Sequence, residues 1–448
     1  MGIIQKPLEY FPSLSGAPEV NHLLDTDFYK FSMLDFILAH PEYRGLNVRW
    51  SMKIRNPDIQ TTQVIPREVL EAQLEMTQKK ITGLSESEIS YLRGMEQGKG
   101  VKMFREETLD FLKDFSLPDY EIGEEVGNYT LDFTGPWESS MMWEIIALKI
   151  INALYISQYI KKSNISDVEF SEMMHQVSGR LFTDIKTLEK APEATFSEFG
   201  TRRAMSSVWQ REVNQILAER LPDQYIGTSN ILIAKEMGGA NPRGTNAHEL
   251  RMIPTALHDS PEAIISEMYS VDSKWQKHFP ELALLLPDAY GTSFYLAHTP
   301  REIIEGHTGM RFDSKDPMQA IPEYIDWLVK HGQDPMAKVG IPSDGLDAQK
   351  VVQISQAFQQ KLGKLSFGIG TNLTNNTKGI FPKTESLGPF GSFSVVVKPS
   401  AVQRPSGEWV STVKLSDNPN KAMGETARVE HFKNIFGTQG MQALQVQV

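Results

Sequence analysis

The stretch LSFGIGTNLTNN (Leu365 to Asn376) decides the fold class that this sequence predicts. A short apolar run ends in two glycines, and small hydroxyl and amide side chains follow directly. Units of the same kind recur from about residue 195 onward, as TFSEFGTRRAMS, YIGTSNILIAKEMGG, LPDAYGTSFYLA, TGMRFDSKDP and KVGIPSDGLDA. Strand–loop–helix units in series predict a parallel α/β sheet or barrel, and in such folds the loops after the strands carry the functional site.

The segments outside this series predict other elements. The run VRWSMKIR (Val48 to Arg55) alternates apolar and polar residues, which predicts a half-buried strand, and GSFSVVVKPS near the C-terminus is also strand-like. The most apolar window runs from Met141 to Ile160 and begins after a Gly-Pro pair. Polar and charged residues interrupt it at Glu144, Lys149 and elsewhere, so we predict a buried helix and no membrane span.

The composition excludes several classes of function. The 448 residues carry a formal net charge of −11, so the chain is a poor non-specific binder of nucleic acid. The chain has no cysteine, which excludes disulfides, thiolate zinc sites and a cysteine nucleophile. The N-terminal MGIIQKPLEY lacks the pattern of a signal peptide. These features fit a cytoplasmic protein.

Two of the loops carry residues that suit phosphate. In SFGIGTN the two glycines let the backbone approach an anion, although an ordinary turn has the same composition. In EFGTRRAMS, Arg202 and Arg203 stand at a predicted helix start, where cations oppose the helix dipole and local stability does not explain them. Arginine binds phosphate in a bidentate manner, and the alternative is a solvated surface pair.

Two further loops combine a charge with a strand end. Arg311 and Asp313 occupy alternate positions in GMRFDSKDP and therefore face the same way. The cation suits a phosphate, and the carboxylate suits sugar hydroxyls or Mg²⁺. A simple ion pair is the alternative. In IPSDGLD, Asp344 and Gly345 are open to the same interpretation as a sugar-phosphate contact, and there the alternative is an ordinary turn.

A lone histidine ends the soft segment GGANPRGTNAHEL (Gly238 to Leu250). His248 is open to three interpretations. It is a structural or exposed residue, as most lone histidines are, or a metal ligand, although no partner stands at ligand spacing. In the third interpretation its neutral imidazole attacks a phosphoryl group, and the glycine-rich loop lets it meet two phosphates in turn.

Eight motifs follow one another along the chain: LLDTDFYKFSM, GPWE, EFGTRRA, GTSN, GTNAHE, RFDS, SDGLD and FGIGTNLTNN. In this order they resemble the nicotinate phosphoribosyltransferases, and more broadly the type II phosphoribosyltransferases, over most of the chain. The resemblance implies an irregular, TIM-like α/β barrel over residues 141–376. A second α/β domain would be built from residues 1–140 and 377–448.

The resemblance also implies the reaction. Phosphoribosyl would pass from 5-phosphoribosyl 1-pyrophosphate to nicotinate, giving nicotinate mononucleotide and pyrophosphate, with ATP as a co-substrate, Mg²⁺ as a cofactor and a homodimer as the active unit. His248 would be transiently phosphorylated by ATP. Nicotinamide or quinolinate as the base is the nearest alternative, and a non-catalytic nucleotide-binding or regulatory protein is the more distant one.

Carried over residue by residue, the resemblance implies a complete set of site residues. Phe199 would form one face of the nicotinate slot, and Tyr29 of the partner chain in the dimer would form the other. Arg202 and Arg311 would hold pyrophosphate, and Asp313 the ribose hydroxyls with Mg²⁺. The 5′-phosphate would lie among Asp344, Gly345, Gly370 and Thr371.

Ser229 bears on the choice of base. Relatives that use nicotinamide have an aspartate at the matching position, whereas the hydroxyl of Ser229 can donate to the carboxylate of nicotinate. The alternative is that Ser229 only caps a helix. Two departures from the family pattern stand nearby, Lys315 in place of the usual glycine and Ala289-Tyr290 in the loop LPDAYGTS.

Overall fold

The computed structural model describes residues 5–98, 100–239, 241–380 and 387–444. Its strands in chain order are β1 (Asn47–Ile54), β2 (Glu96–Gly98), β3 (Val101–Lys102), β4 (Tyr120–Glu125), β5 (Asn128–Pro136), β6 (Thr195–Glu198), β7 (Tyr225–Thr228), β8 (Leu284–Leu285), β9 (Gly309–Phe312), β10 (Val339–Pro342), β11 (Lys364–Ile369), β12 (Val395–Gln403) and β13 (Trp409–Ser411).

The α-helices lie between these strands and at both chain ends. They are α1 (Pro7–Tyr10), α2 (Phe28–Ala39), α3 (Thr61–Val64), α4 (Arg67–Lys80), α5 (Glu86–Gly94), α6 (Glu106–Lys113), α7 (Trp137–Ser140), α8 (Trp143–Lys162), α9 (Asp167–Leu188), α10 (Ser207–Arg220), α11 (Ile231–Glu236), α12 (Glu249–Ala256), α13 (Pro261–His278), α14 (Thr292–His298), α15 (Arg301–Gly306), α16 (Pro317–Lys330), α17 (Ala348–Phe358), α18 (Thr371–Thr374) and α19 (Thr426–Phe436).

A six-stranded parallel sheet forms from the strand–loop–helix units, in the order β7-β6-β11-β10-β9-β8. Because all six strands run the same way, the loops after them open on the same edge of the sheet. The α/β class is therefore confirmed. Closure into a barrel is not, since β7 and β8 are unpaired with each other among the described strands. The backbone N–H of Arg243 donates to the Thr228 carbonyl at 2.8 Å beside the end of β7.

A five-stranded antiparallel sheet, β13-β12-β1-β5-β4, draws its strands from both ends of the chain. The predicted half-buried strand is confirmed: Val48, Trp50 and Met52 are buried in β1, and the residues between them are partly or fully exposed. The strand-like GSFSVVVKPS contributes β12. The predicted boundaries between the two domains stay a prediction.

Helix α8 is the apolar helix that the sequence predicts, and it is buried from Trp143 to Ile160. Together with α7, the stretch Trp137–Lys162 is long and apolar enough to cross a membrane, but 94% of its most apolar window is buried inside the protein. Its buried charged side chains, Glu144 and Lys149, are paired; Lys149 Nζ lies 2.5 Å from Asp25 Oδ1. The helix is therefore part of the core.

Candidate active site

The loops after the parallel strands meet both chain ends around a cavity of about 480 Å³. Every site residue that the sequence predicts lines this cavity. These residues are Tyr29, Phe199, Arg202, Ser229, His248, Arg311, Asp313, Asp344, Gly345, Gly370 and Thr371. The segments outside the parallel sheet add Asp27, Arg55, Lys398, Lys414 and Lys421.

His248 caps the N-terminus of α12 and is almost completely buried. Its Nε2 lies 2.7 Å from Asp288 Oδ1 and 3.1 Å from Lys414 Nζ. Burial lowers the pKa of His248 to about 4; Asp288 opposes this shift and Lys414 adds to it. The imidazole is therefore neutral at pH 7. Because the shorter contact is with a carboxylate, we assign the proton to Nε2, which leaves the lone pair on Nδ1.

Asp288 is a site residue that sequence reasoning missed. Its Oδ2 accepts a hydrogen bond from Ser314 Oγ at 2.7 Å and lies 3.4 Å from Lys414 Nζ. Burial alone would raise the pKa of Asp288, but His248 and Lys414 hold it well below the ordinary value, so the carboxylate is ionised. The only signal in the sequence was an aspartate shortly before the Gly-Thr pair of LPDAYGTS.

Arg311 and Asp313 face the cavity together, as the alternate spacing predicts. Arg311 Nη2 contacts Asp313 Oδ1 at 2.6 Å, and Arg311 Nε donates to Ser343 Oγ at 2.9 Å. Burial opposes ionisation of Asp313, but Arg311 holds its pKa well below the ordinary range. The ion-pair interpretation is therefore confirmed, and because the pair lines the cavity, its role toward a sugar phosphate stays a prediction.

Three carboxylate and imidazole groups could hold a metal ion. Ligand atoms of His248, Asp288 and Asp313 all lie within 4.8 Å of one another. The sequence spacing revealed no metal-ligand partner for His248 because Asp288 and Asp313 come from other loops. The two ionised carboxylates suit Mg²⁺, which takes oxygen ligands, whereas the imidazole nitrogen does not.

Arg202 and Arg203 lie in a short 3₁₀ turn, Thr201–Arg203, ahead of α10. The predicted helix start at these residues is therefore wrong, since Ser206 caps α10. Burial, together with the neighbouring Arg202 and Arg55, lowers the pKa of Arg203 to about 9. Three arginines thus line this part of the cavity together, an arrangement that suits a phosphate.

The chain ends supply cations that the sequence did not single out. Arg55 follows β1, Lys398 lies on β12, and Lys414 and Lys421 belong to the C-terminal segment. Lys421 Nζ contacts Asp344 Oδ2 at 2.6 Å. These residues stand in ordinary strand and loop contexts, so no local pattern marks them. The cavity is thus strongly cationic in a chain whose net charge is negative.

The loops predicted to hold the 5′-phosphate are joined to each other. Asn372 Nδ2 donates to the Leu346 carbonyl at 2.8 Å. Gly345 has φ of 55°, a left-handed conformation that favours glycine. Gly370 precedes α18, which begins at Thr371. Both loops therefore line the cavity side by side.

Tyr29 and Phe199 both line the cavity within the single chain. Helix α2, which carries Tyr29, is anchored to the parallel sheet of the same chain, and a contribution of Tyr29 to a partner's site stays a prediction. The backbone N–H of Phe28 donates to the Ser229 carbonyl at 2.8 Å, and Ser32 Oγ donates to the Thr245 carbonyl at 2.5 Å.

Ser229 makes a contact that the sequence did not predict. Its hydroxyl donates to Asp27 Oδ1 at 2.6 Å and lies 3.4 Å from Thr201 Oγ1. Burial raises the pKa of Asp27. Asn230, whose Oδ1 accepts from the Ile233 N–H, is the residue that caps α11, so the helix-cap interpretation of Ser229 is wrong.

The two departures from the family pattern point away from the cavity. Lys315 pairs with Glu323 on α16. Tyr290 is buried: its ring stacks on Phe436 of α19 at 4.7 Å, and its hydroxyl lies 2.5 Å from Thr255 Oγ1. These side chains therefore do not alter the sugar-phosphate region directly.

The fold and the cavity together define a class of protein: an α/β protein with a cationic cavity at the loops of a parallel sheet, lined also by the aromatic residues Tyr29 and Phe199. Two family models match the sequence itself. The nicotinate phosphoribosyltransferase (NAPRTase) family matches residues 194–439, and the N-terminal domain of that family matches residues 24–152. The chain belongs to the nicotinate phosphoribosyltransferase family, so its reaction is phosphoribosyl transfer to nicotinate in NAD biosynthesis.

Solved structures share the fold over nearly the whole chain. Nicotinate phosphoribosyltransferase from Porphyromonas gingivalis has a TM-score of 0.78 and 23% identity, covering 93% of this chain and 100% of that one. The Vibrio cholerae structure has a TM-score of 0.79 and 24% identity, covering 94% of each chain. A putative nicotinate phosphoribosyltransferase from Saccharomyces cerevisiae has a TM-score of 0.74 and 25% identity, covering 94% and 99%.

Proposed function

We propose that the transfer is coupled to ATP hydrolysis through a phosphohistidine at His248. One observation carries the proposal: a neutral, buried imidazole is oriented by Asp288 inside a cavity crowded with cations. A protonated imidazole could not attack phosphorus, and an unoriented one would attack slowly.

The phosphorylation step follows from this arrangement. Nδ1 attacks the γ-phosphoryl group of ATP, an N–P bond forms as the P–O bond to ADP breaks, and the proton on Nε2 remains on the ring. Asp288 stabilises the positive charge that develops on the imidazole, as a carboxylate does beside a catalytic histidine. Lys414 offsets the negative charge of the incoming phosphoryl group. Asp288 and Asp313 would hold Mg²⁺, which would neutralise phosphate oxygens.

The transfer step uses the other residues of the cavity. As pyrophosphate leaves C1 of the ribose, Arg202 and Arg311 stabilise its growing charge. The nicotinate ring, stacked between Phe199 and Tyr29, presents its nitrogen to C1 from the opposite side. No general base is needed, because the pyridine nitrogen carries no proton. Asp313 holds the ribose hydroxyls; the 5′-phosphate lies among the backbone groups of Asp344, Gly345, Gly370 and Thr371.

Nicotinate is favoured over nicotinamide by the cations and by the neutral Ser229. The hydroxyl of Ser229 donates its hydrogen bond to Asp27, so Ser229 affects the base through its contact with Asp27. A neutral residue at this position also avoids a second carboxylate beside the carboxylate of nicotinate. A non-catalytic regulatory role would not require the neutral His248 and its carboxylate partner. We place the enzyme in the cytoplasm. A homodimer as the active unit stays a prediction.

An assay of the wild-type protein tests the proposal. The protein is mixed with 5-phosphoribosyl 1-pyrophosphate and nicotinate, with and without ATP, and nicotinate mononucleotide and ADP are both measured. We expect ATP to raise the yield of mononucleotide and to be consumed with it. Equal yield and rate without ATP would contradict the coupling and leave phosphoribosyl transfer itself intact. Nicotinamide and quinolinate in place of nicotinate should give little product.

A further inference from the structure

Glu144, the second residue of α8, gathers three cations behind the cavity although it is completely buried. Its carboxylate lies 2.7 Å from Lys30 Nζ, 2.6 Å from Lys398 Nζ and 3.7 Å from Arg202 Nη1. Tyr29 donates its hydroxyl hydrogen to Glu144 at 3.2 Å. Burial disfavours ionisation of Glu144, but Lys30 and Lys398 hold its pKa well below the ordinary value, so the carboxylate is charged.

Lys30 links Glu144 to a second buried carboxyl group, that of Glu249. The ammonium group is completely buried and lies 2.8 Å and 3.0 Å from the two carboxylate oxygens of Glu249. It also lies 4.8 Å from the centre of the Trp50 ring. Glu249 is the residue directly after His248 and begins α12. Burial raises the pKa of Glu249 to about 7, and Lys30 opposes this shift. An unbroken line of contacts thus runs from Arg202 through Glu144 and Lys30 to the helix that directly follows His248.

Stability does not explain this network. Removing two carboxyl groups and an ammonium group from water carries a large desolvation cost, and apolar side chains of similar volume are often as stable or more so. The outer members of the network, which are Tyr29, Arg202 and Lys398, line the cavity, whereas Glu144, Lys30 and Glu249 lie behind it. Buried charged residues that contact side chains lining a cavity are expected where those side chains must be held in place for a reaction.

We propose that Glu144 and Lys30 are positioning residues that hold Tyr29 and Arg202 in register with the helix of His248. Glu144 fixes the two side chains that would meet nicotinate and pyrophosphate, and Lys30 joins them through Glu249 to the phosphorylated histidine. The proposal rests on the proposed function where it concerns His248. The part of the proposal that concerns nicotinate and pyrophosphate rests on phosphoribosyl transfer alone.

Two variants test the contacts of Glu144 and the contact of Lys30 with Glu249 separately. Glu144→Gln keeps the size of the side chain and removes its charge, and we expect kcat/KM for nicotinate and for 5-phosphoribosyl 1-pyrophosphate to fall roughly 10- to 100-fold. Glu249→Gln leaves the contact of Lys30 with Glu144 in place. It should slow labelling of the protein by γ-labelled ATP several-fold, with the KM for nicotinate within a factor of two of wild type. Glu144→Asp, which keeps the charge, should restore part of the loss.

Asp272→Asn is the matched control. Asp272 of α13 is a buried carboxylate that lies away from the cavity. It pairs with Arg251 of α12, the helix that begins with Glu249, and accepts a hydrogen bond from the Tyr295 hydroxyl at 2.7 Å. The variant should lower Tm and leave the kinetic constants of the folded fraction unchanged. If Glu144→Gln behaves in the same way, the network is only structural and the proposal is wrong. Wild type, measured in parallel, reports separately whether mononucleotide formation and ATP labelling occur at all.

Discussion

Lys414 Nζ lies 3.1 Å from His248 Nε2, although the two residues are separated by most of the C-terminal half of the chain. The same ammonium group lies 3.4 Å from Asp288 Oδ2. The C-terminal segment therefore places a cation against the residue pair that is proposed to accept a phosphoryl group. Lys414 thereby helps to keep the imidazole neutral and is available to the phosphate that approaches it.

The acid limit of His248 phosphorylation should lie near pH 4. Burial lowers the pKa of His248 to about 4. The imidazole is therefore neutral above that pH and is protonated, and unable to attack, as pH falls through it. Lys414→Met removes a cation and should move this limit upward, whereas Asp288→Asn removes an anion and should move it downward. Initial rates of labelling by γ-labelled ATP across the pH range check both directions, and shifts of the same sign in both variants would contradict the account.

Complementation between inactive chains should fail. Tyr29 and Arg202 line the cavity of one chain, so a Tyr29→Ala chain mixed with an Arg202→Ala chain contains no intact site. We expect activity of the mixture to stay at the sum of the two separate variants. Partial recovery, with exchange of differently tagged chains verified, would show that Tyr29 crosses to a partner after all.

Substitution of Ser229 tests the choice of base. Ser229→Asp places a second carboxylate beside Asp27, so two like charges would meet the carboxylate of nicotinate. Nicotinate kcat/KM should weaken by about 2 kcal/mol, and nicotinamide should lose much less. Ser229→Asn is the neutral control of similar size and should affect both bases alike. An equal loss for both bases in Ser229→Asp would assign specificity to another residue.

Gly368 should be needed for the aromatic slot. A Cβ at this position of β11 would overlap the Phe199 ring, so Gly368→Ala must displace Phe199. The KM for nicotinate should rise roughly tenfold, with a smaller change for 5-phosphoribosyl 1-pyrophosphate. Gly179→Ala is the control, because Gly179 lies in α9 with nothing within 4 Å of its new Cβ. It should raise stability by about 0.5–1 kcal/mol and leave both KM values unchanged.

The sequence located the loop residues of the site because they lie at or just after the ends of strands. Arg311 lies near the end of β9 and Asp344 follows β10 in the parallel sheet, and the ends of parallel strands meet at one edge. Local spacing was therefore enough to group them. The motif order added Tyr29, which no local pattern marks.

Contacts made by the chain ends could not be predicted in this way. Lys414 and Lys421 reach the cavity only because the C-terminal segment packs across the loop of Asp288, where the Leu415 N–H donates to the Ala289 carbonyl at 2.8 Å. Such packing depends on surfaces far apart in sequence. The anchoring of α2, which carries Tyr29, on the parallel sheet of its own chain could not be predicted for the same reason, since it is a tertiary property.

The most direct measurement is the location of phosphate in protein that has reacted with γ-labelled ATP. The account predicts an acid-labile, base-stable label on the peptide that contains His248, and its loss in His248→Ala. His278→Ala is the matched control, because His278 Nε2 makes the same 2.7 Å contact with a carboxylate, that of Asp35, but does not line the cavity. Label retained in His248→Ala, or absent from wild type that forms mononucleotide with consumption of ATP, would contradict the account.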